Sequence, residues 1–252
     1  MVASPPVLFL IGIMGGFASG LLGIGGGIVM VPLLAYVGGL SFHMATAISV
    51  LQVFVAGASG VLRHYRLHSV DLPAALMIGG ASAATAAISS ILSPQVPALW
   101  LQTGFTLLLL TSMVMLMVPH KKVLGRGEPS VRPLPAISLG ATAGVLTGLL
   151  GAGGGFLLVP ILIAVLGMST KLAIGTSLAA VVLGTFSGAA AKLVTGQVDL
   201  LDAAFVVVGG ALGAQAGAWV CYRSSTALLQ RLLLVLLLAV TARTVADTLG
   251  LL

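Results

Sequence analysis

Two glycine-rich segments carry the residues of this 252-residue chain that are best suited to chemistry. Residues 20–34 read GLLGIGGGIVMVPLL, and residues 148–162 read GLLGAGGGFLLVPIL, 128 positions later. Glycines admit positive φ angles, so successive backbone N–H groups can converge on an anion. A helix that starts after the glycines adds the positive end of its dipole. The segments predict a cradle for a small oxyanion, formed by Gly23, Gly25, Gly26, Gly27, Gly151, Gly153, Gly154 and Gly155.

The glycine segments belong to a longer duplication within the chain. Residues 20–72 align without a gap with residues 148–200, and 21 of the 53 aligned pairs are identical. A duplicated apolar unit that glycines interrupt at the same place in both copies points to the binding site of a transporter. We therefore expect a first repeat at 1–119, a linker at 120–134 and a second repeat at 135–252.

The composition indicates an all-α membrane protein. Of all residues, 59% are hydrophobic and 6% are charged, against about 25% charged in soluble domains. Breaks at charged or Pro/Gly-rich joints leave eight apolar segments, most of them suited to one helical crossing of a hydrocarbon core about 30 Å thick. The segments are 7–37, 43–62, 72–92, 98–118, 135–167, 172–191, 200–220 and 227–246.

The first and fifth segments, 7–37 and 135–167, are too long for a simple crossing. At about 1.5 Å per residue, a straight helix over the shorter of them would span about 46 Å. Each glycine costs a helix up to about 1 kcal/mol, so we expect each segment to be two half-helices joined at the glycines. Eight crossings would make the repeats parallel, whereas hairpins that enter and leave on one face would make them inverted. We favour eight crossings.

Close helix packing is the alternative role for the glycines, since small residues let transmembrane helices approach each other. The duplication, the overlong segments and the density of glycine favour a break that lines a substrate path. No Lys-Ser/Thr pair follows the glycines and no βαβ pattern surrounds them, so they form neither a P-loop nor a Rossmann fingerprint. Pro32 and Pro160 follow the two glycine runs and are expected to kink the second half-helices.

Polar residues of the second and sixth segments are the next candidates for substrate contact. Ser49 aligns with Ser177, while Gln52 and Thr176 lie on nearby turns. Hydroxyls and amides inside a bundle commonly bond only to the backbone, which is the alternative for all four.

Ionisable residues at matched positions predict a basic vestibule. His43 aligns with Lys171, His64 aligns with Lys192, and Arg63 precedes His64. Such cations would concentrate anions at the cytoplasmic mouth. The alternative is that they snorkel to the membrane interface.

The linker between the repeats carries a basic charge. The connection around Arg63 is also basic and lies two segments away, so the two loops share a side of the membrane. The positive-inside rule places that side in the cytoplasm. The linker's charged residues are Lys121, Lys122, Arg126, Arg132 and a single acid, Glu128.

Other kinds of site find little support in the sequence. The single Cys221 excludes an intramolecular disulfide and a cysteine-cluster metal site, and the four histidines are not spaced as metal ligands on one helix. No constellation of nucleophile and base is found. We therefore expect no enzymatic activity, no cofactor, no metal and no nucleic-acid partner.

These motifs resemble the TauE/SafE sulfite exporter family, also called the toluene-sulfonate uptake permease family. The glycine motif with its proline occurs at Gly20–Pro32 and Gly148–Pro160, and a Ser–Gly element occurs at Ser49–Gly60 and Ser177–Gly188. Val-Asp-Leu ends both aligned copies. The resemblance implies transport of small sulfur-containing anions, such as sulfite, sulfoacetate or other sulfonates, across a prokaryotic inner membrane.

On this basis we expect a secondary transporter that exports its anion or facilitates its flux by alternating access. Residues 72–120 and 133–170 contain no acid, so a carboxylate proton relay is hard to assemble. An anion leaving a cell that is negative inside gains about 2.3 kcal/mol per charge per 100 mV, which favours export. The alternatives are an anion channel and a non-transporting membrane scaffold. A homodimer is compatible with the sequence, although no feature requires one.

Overall fold

The structure is a computed structural model that describes residues 4–23, 25–117, 133–164 and 166–225, with scattered residues between 227 and 242. Within these residues all the regular elements are helical. Six helices are long and apolar enough to cross a membrane, and shorter apolar stretches lie at Gly27–Val37 and Ala98–Thr111. Most of the predicted linker and much of the eighth predicted segment lie outside the described residues.

Nine α-helices follow one another along the described ranges. After α2 the chain continues as a π-helix over Leu33–Val37, and a 3₁₀ turn at Ser93–Gln95 follows α4. The helices are α1 (Pro5–Leu22), α2 (Gly27–Pro32), α3 (Phe42–Arg66), α4 (Leu72–Leu92), α5 (Ala98–Met117), α6 (Pro133–Leu150), α7 (Gly155–Ala164), α8 (Thr170–Val194) and α9 (Leu200–Arg223).

Prolines and acids set several of the helix ends. Pro5 begins α1, where the missing N–H would have no intrahelical partner in any case. Asp71 and Asp199 accept hydrogen bonds from first-turn N–H groups and cap α4 and α9. At Pro32 the α-helix gives way to the π-helix, because proline offers no N–H and crowds the preceding turn.

Two seams of glycine join the outer helices to each other. α1 runs parallel to α9 and α6 runs parallel to α4. In both pairs the residue numbers of the contacts rise together, by four positions at a time, along the two helices. The seams allow backbone-to-backbone contact, since a Cβ atom on these glycines would meet carbonyl groups of the partner helix. One seam joins Gly12, Gly16 and Gly20 to Val206, Gly210 and Ala214; the other joins Gly140, Gly144 and Gly148 to Ile78, Ser82 and Ala86.

The central helices α3 and α8 run antiparallel. Gly60, late in α3, faces Leu178, early in α8. Conversely, Gly188, late in α8, faces Val50, early in α3. Because α3 and α8 occupy matching positions in the duplicated sequence, parallel repeats would have oriented them alike. The prediction of parallel repeats is therefore wrong for this pair of helices.

The chain reverses direction within the fifth predicted segment. α8 runs parallel to α4, since Gly175 faces Ser69 and Gly184 faces Ser82. α6 also runs parallel to α4, so α7, which lies between α6 and α8 in the chain, must carry the chain back. The segment therefore forms a hairpin and not a single crossing, which corrects the preference for eight crossings.

The first segment has the same form. α1 contains 18 residues, enough to cross most of a bilayer by itself. Gly26 and Met30 both lie against Gly15, so α2 begins beside the middle of α1 and not beyond its end. The two parts are thus a full-length helix and a short one, rather than two half-helices of one crossing. The glycines allow this reversal because they adopt positive φ angles.

Candidate functional site

The two glycine breaks have the same backbone shape. Gly23 ends α1 in the left-handed conformation and its N–H donates to Ser19 O over 2.9 Å. Gly151 ends α6 at φ +69° and donates to Thr147 O over 3.0 Å. Left-handed glycines also precede α2 and α7. Because an L-residue is disfavoured there by about 1–2 kcal/mol, glycine is needed at these positions.

The two breaks meet at the centre of the structure. A Cβ placed on Gly153 would lie 3.8 Å from Gly25 Cα and 2.8 Å from Val53 Cγ1. A Cβ placed on Gly25 would lie 3.0 Å from Val53 Cγ1 and 3.1 Å from Val181 Cγ1. Val53 and Val181 are separated by the same 128 positions as the glycines. The contact is therefore approximately symmetric, with one valine and one glycine from each half.

The start of α2 faces the opposite break. A Cβ on Gly27, the first residue of α2, would lie 2.6 Å from Ala152 Cα. α7 begins at the matching Gly155. The first N–H groups of a helix have no intrahelical partners and carry the positive end of its dipole. The centre thus combines two backbone breaks with the starts of two short helices.

Ser49 and Ser177 tie each break to the opposite half. Ser49 Oγ donates to Gly151 O over 2.7 Å, and Ser177 Oγ donates to Gly23 O over 3.1 Å. Both side chains are fully buried. They were predicted as substrate contacts, and in this structure they position the glycine backbone.

Replacing either serine by alanine is expected to lower stability by about 1–3 kcal/mol, because a buried carbonyl loses its donor. Thermal unfolding of the purified protein in detergent measures this effect. Ser138, an exposed serine of α6 that bonds within its own helix, provides the control, and Ser138→Ala should leave the midpoint unchanged. Equal midpoints for Ser49→Ala, Ser177→Ala and the control would contradict the positioning role.

The other predicted polar contacts lie away from the point where the breaks meet. Thr176 Oγ1 accepts a hydrogen bond from Asp71 N over 2.9 Å. Gln52 is fully buried against Gly210 of α9, and its amide has no partner among the described residues. Pro160, which was expected to kink the second half-helix of its repeat, lies inside α7.

The predicted vestibule residues are divided between two ends of the bundle. Because α3 and α8 are antiparallel, the end of α3 and the start of α8 share one end, which holds Arg63 and Lys171. His43 at the start of α3 and Lys192 near the end of α8 share the other. The side chain of Arg63 lies outside the described part of the structure. His43 has a buried Nδ1 without a partner among the described residues.

A cleft of about 370 Å³ opens at the Lys171 end. His64 Nε2 lies 3.2 Å from Gly20 O, and its Nδ1 lies 3.2 Å from Ser69 Oγ. Lys171 Nζ donates to Tyr222 O over 2.8 Å. Alignment of the halves drew attention to His64, but the contribution of Tyr222 from α9 has no signal in the sequence. The cleft is lined by His64, His68, Ser69, Lys171, Cys221 and Tyr222, among others.

Comparison with known proteins gives a consistent result. The profile of the family described as "Sulfite exporter TauE/SafE" matches residues 8–244. The "Probable membrane transporter protein YunE" of Bacillus subtilis is 26% identical over 92% of this chain and 94% of its own length. A "Probable membrane transporter protein" of Xylella fastidiosa is 33% identical over 89% of this chain and 88% of its own. No solved structure matches the chain.

Proposed function

Because the chain belongs to the TauE/SafE sulfite exporter family, we propose that it is a secondary transporter of a small sulfur-containing anion, such as sulfite, sulfoacetate or another sulfonate. It moves this anion out of the cell, or facilitates its flux, by alternating access. The names of the relatives state membrane transport but no substrate. The proposed anion and mechanism therefore rest on the family's description and on the geometry of this chain.

The observation that carries the proposal is the meeting of the two glycine breaks at the centre. Backbone N–H groups and the starts of α2 and α7 supply positive potential there without a fixed cation. Gly25, Gly153, Val53 and Val181 are all buried, and a Cβ on Gly153 would come within 3.8 Å of Gly25 Cα. An anion can therefore enter only when the halves move apart, which suits a carrier better than an open channel.

The antiparallel α3 and α8 support two inverted repeats, at 1–119 and 135–252. The first helix of each repeat packs against a helix of the other repeat: α1 contacts α9 and α6 contacts α4, through the two glycine seams. Inverted repeats around a central site with broken helices are a common plan of secondary transporters, in which exchange of the two repeat conformations opens opposite faces.

The distribution of charge supports an orientation in a prokaryotic inner membrane. Arg66, Lys171 and Arg223 lie at the end where α3 and α9 finish, and the basic linker joins α5 to α6 at that end if α5 crosses the bilayer. Asp199 and Asp202 lie at the opposite end, with Lys192. The positive-inside rule makes the basic end, with its cleft, cytoplasmic.

The test is charge movement in proteoliposomes presented with sulfite, thiosulfate, sulfoacetate, sulfate and chloride in turn. We expect a saturable current for at least one sulfur anion, and uptake of that anion as a tracer that is stimulated by the same anion on the opposite side. Protein-free liposomes provide the baseline. A current that does not saturate would indicate a channel. Absence of both current and tracer exchange across the panel would overturn the proposal.

A further inference from the structure

Lys192 is a buried cation with neutral partners. Its side chain is 0% exposed although it lies within one turn of the end of α8. Its ammonium group donates to Ser93 Oγ over 3.3 Å and to Gln197 Oε1 over 3.1 Å. Among the described residues no carboxylate forms an ion pair with it. Lysines near the end of a transmembrane helix normally snorkel outward, so this burial calls for an explanation.

The surroundings of Lys192 are rich in hydrogen-bond donors. Ser90 is fully buried, its hydroxyl has no partner among the described residues, and it faces Gly188, one turn before Lys192 in α8. Ser93, in the 3₁₀ turn that follows α4, already contacts the ammonium. Two hydroxyls and an ammonium can all donate to one acceptor, which suits an anion and not a cation.

Gln197 covers this cluster from the loop between α8 and α9. Its amide nitrogen donates to Ser90 O over 3.1 Å and to Thr195 Oγ1 over 2.6 Å, while its oxygen accepts from Lys192. The Gln197 oxygen thus takes the position that an oxygen of an anion would take. A neutral oxygen compensates a buried ammonium less well than an anion does, since desolvating such an ion costs several kcal/mol.

We propose that Lys192, Ser90 and Ser93 form a binding site for a small anion of the sulfite or sulfonate class, and that Gln197 closes this site. It lies apart from the meeting point of the glycine breaks, at the opposite end of the α3/α8 pair from the open cleft. The inference deepens the proposed function by assigning the anion a docking position at the second mouth of the path.

The open cleft is the inverted counterpart of this site. An offset of 128 relates His64 to Lys192, Ser69 to Gln197 and Cys221 to Ser93. His64 and Lys192 are both buried, at 3% and 0% exposure, and each contacts the polar residue five positions later, Ser69 in one case and Gln197 in the other. The two ends are therefore built alike, and in an inverted-repeat transporter each would serve as the mouth on one side of the membrane, with Gln197 as the closing group on the Lys192 side.

The test uses a cysteine next to Lys192. Cys221→Ser removes the native thiol, and Ser93→Cys introduces one at the hydroxyl that contacts the ammonium. The purified protein is treated with 2-sulfonatoethyl methanethiosulfonate, itself a small sulfonate, or with its trimethylammonioethyl analogue, and the rates are divided by those for free mercaptoethanol. We expect the sulfonate reagent to react at least about tenfold faster, because unit charges interact strongly at contact distance.

Three further variants make the result decisive. Lys192→Met should remove the preference for the sulfonate reagent and Lys192→Arg should keep it. Gln197→Ala should raise the rates of both reagents, because it uncovers the site. Equal normalised rates with Lys192 present, or no modification in the Gln197→Ala protein, would overturn the proposal. Labelling needs no ion gradient, so its outcome is independent of whether the proteoliposomes carry current.

Discussion

Alanine at both Gly25 and Gly153 is expected to reduce the anion current by on the order of a hundredfold, while the protein remains folded. The two residues have φ angles of +78° and +75°, where each alanine costs about 1–2 kcal/mol of strain. Each new methyl group would also enter the contact with Val53 and Val181, at 2.8–3.2 Å from their Cγ1 atoms. The strain and the crowding both fall on the backbone that is proposed to hold the anion.

Two causes of the expected loss of current can be separated: the volume of the new methyl groups and the strain of the backbone. Val53→Ala combined with Val181→Ala would remove the crowding but leave the positive φ angles as they are. Partial recovery of the current in the quadruple variant would assign the recovered part to volume. Gly80→Ala is the matched control, because a Cβ on Gly80 of α4 would meet nothing within 4 Å. A full current in the Gly25→Ala/Gly153→Ala protein would contradict a substrate role for the breaks.

Much of the helical architecture could be predicted from the sequence. Long apolar stretches without acids leave few alternatives to membrane helices, and the offset of 128 identified Ser49 and Ser177 as an equivalent pair. The structure gives these two serines reciprocal hydrogen bonds to Gly151 and Gly23. Equivalence in a duplicated sequence was therefore a good guide to which residues act alike.

The direction of the chain after each glycine break could not be predicted. Hydrophobic periodicity is the same for a helix that continues and for one that returns, and positive φ angles permit either path. The path becomes evident only from contacts distant in sequence, such as Gly60 with Leu178. For the same reason His43 and Lys171, although aligned, lie at opposite ends of the bundle.

The burial of Lys192 could also not be predicted from the sequence. A lysine at the end of an apolar helix normally reaches water, and two of the residues that surround this one are distant in the chain. Ser90 belongs to α4 and Ser93 to the 3₁₀ turn that follows it, both about a hundred positions away in the chain. Only the packing of α4 beside α8 places them there.

Leucine at Gly144 is expected to prevent assembly of the folded protein. A Cβ at this position would touch the Ser82 carbonyl and the Thr85 hydroxyl and would lie 2.8 Å from Ser82 Cα. Backbone atoms cannot move aside unless α6 and α4 separate along the whole seam. Overpacking by a single methyl typically costs about 1–3 kcal/mol, and leucine adds three more carbons. The measurement is the fraction of expressed protein that elutes as a single species in mild detergent.

Gly104→Leu provides the control, because Gly104 of α5 is open on the side where a Cβ would project. It adds the same side chain to another apolar helix, and we expect a normal elution profile. Gly16→Leu then tests the equivalence of the repeats, since Gly16 meets the Gly210 carbonyl in the other seam as Gly144 meets that of Ser82. If the two halves are inverted copies that contribute equally to stability, both seam variants should lose the folded species to the same extent. If Gly16→Leu eluted normally and Gly144→Leu did not, only the α4–α6 seam would be needed for folding.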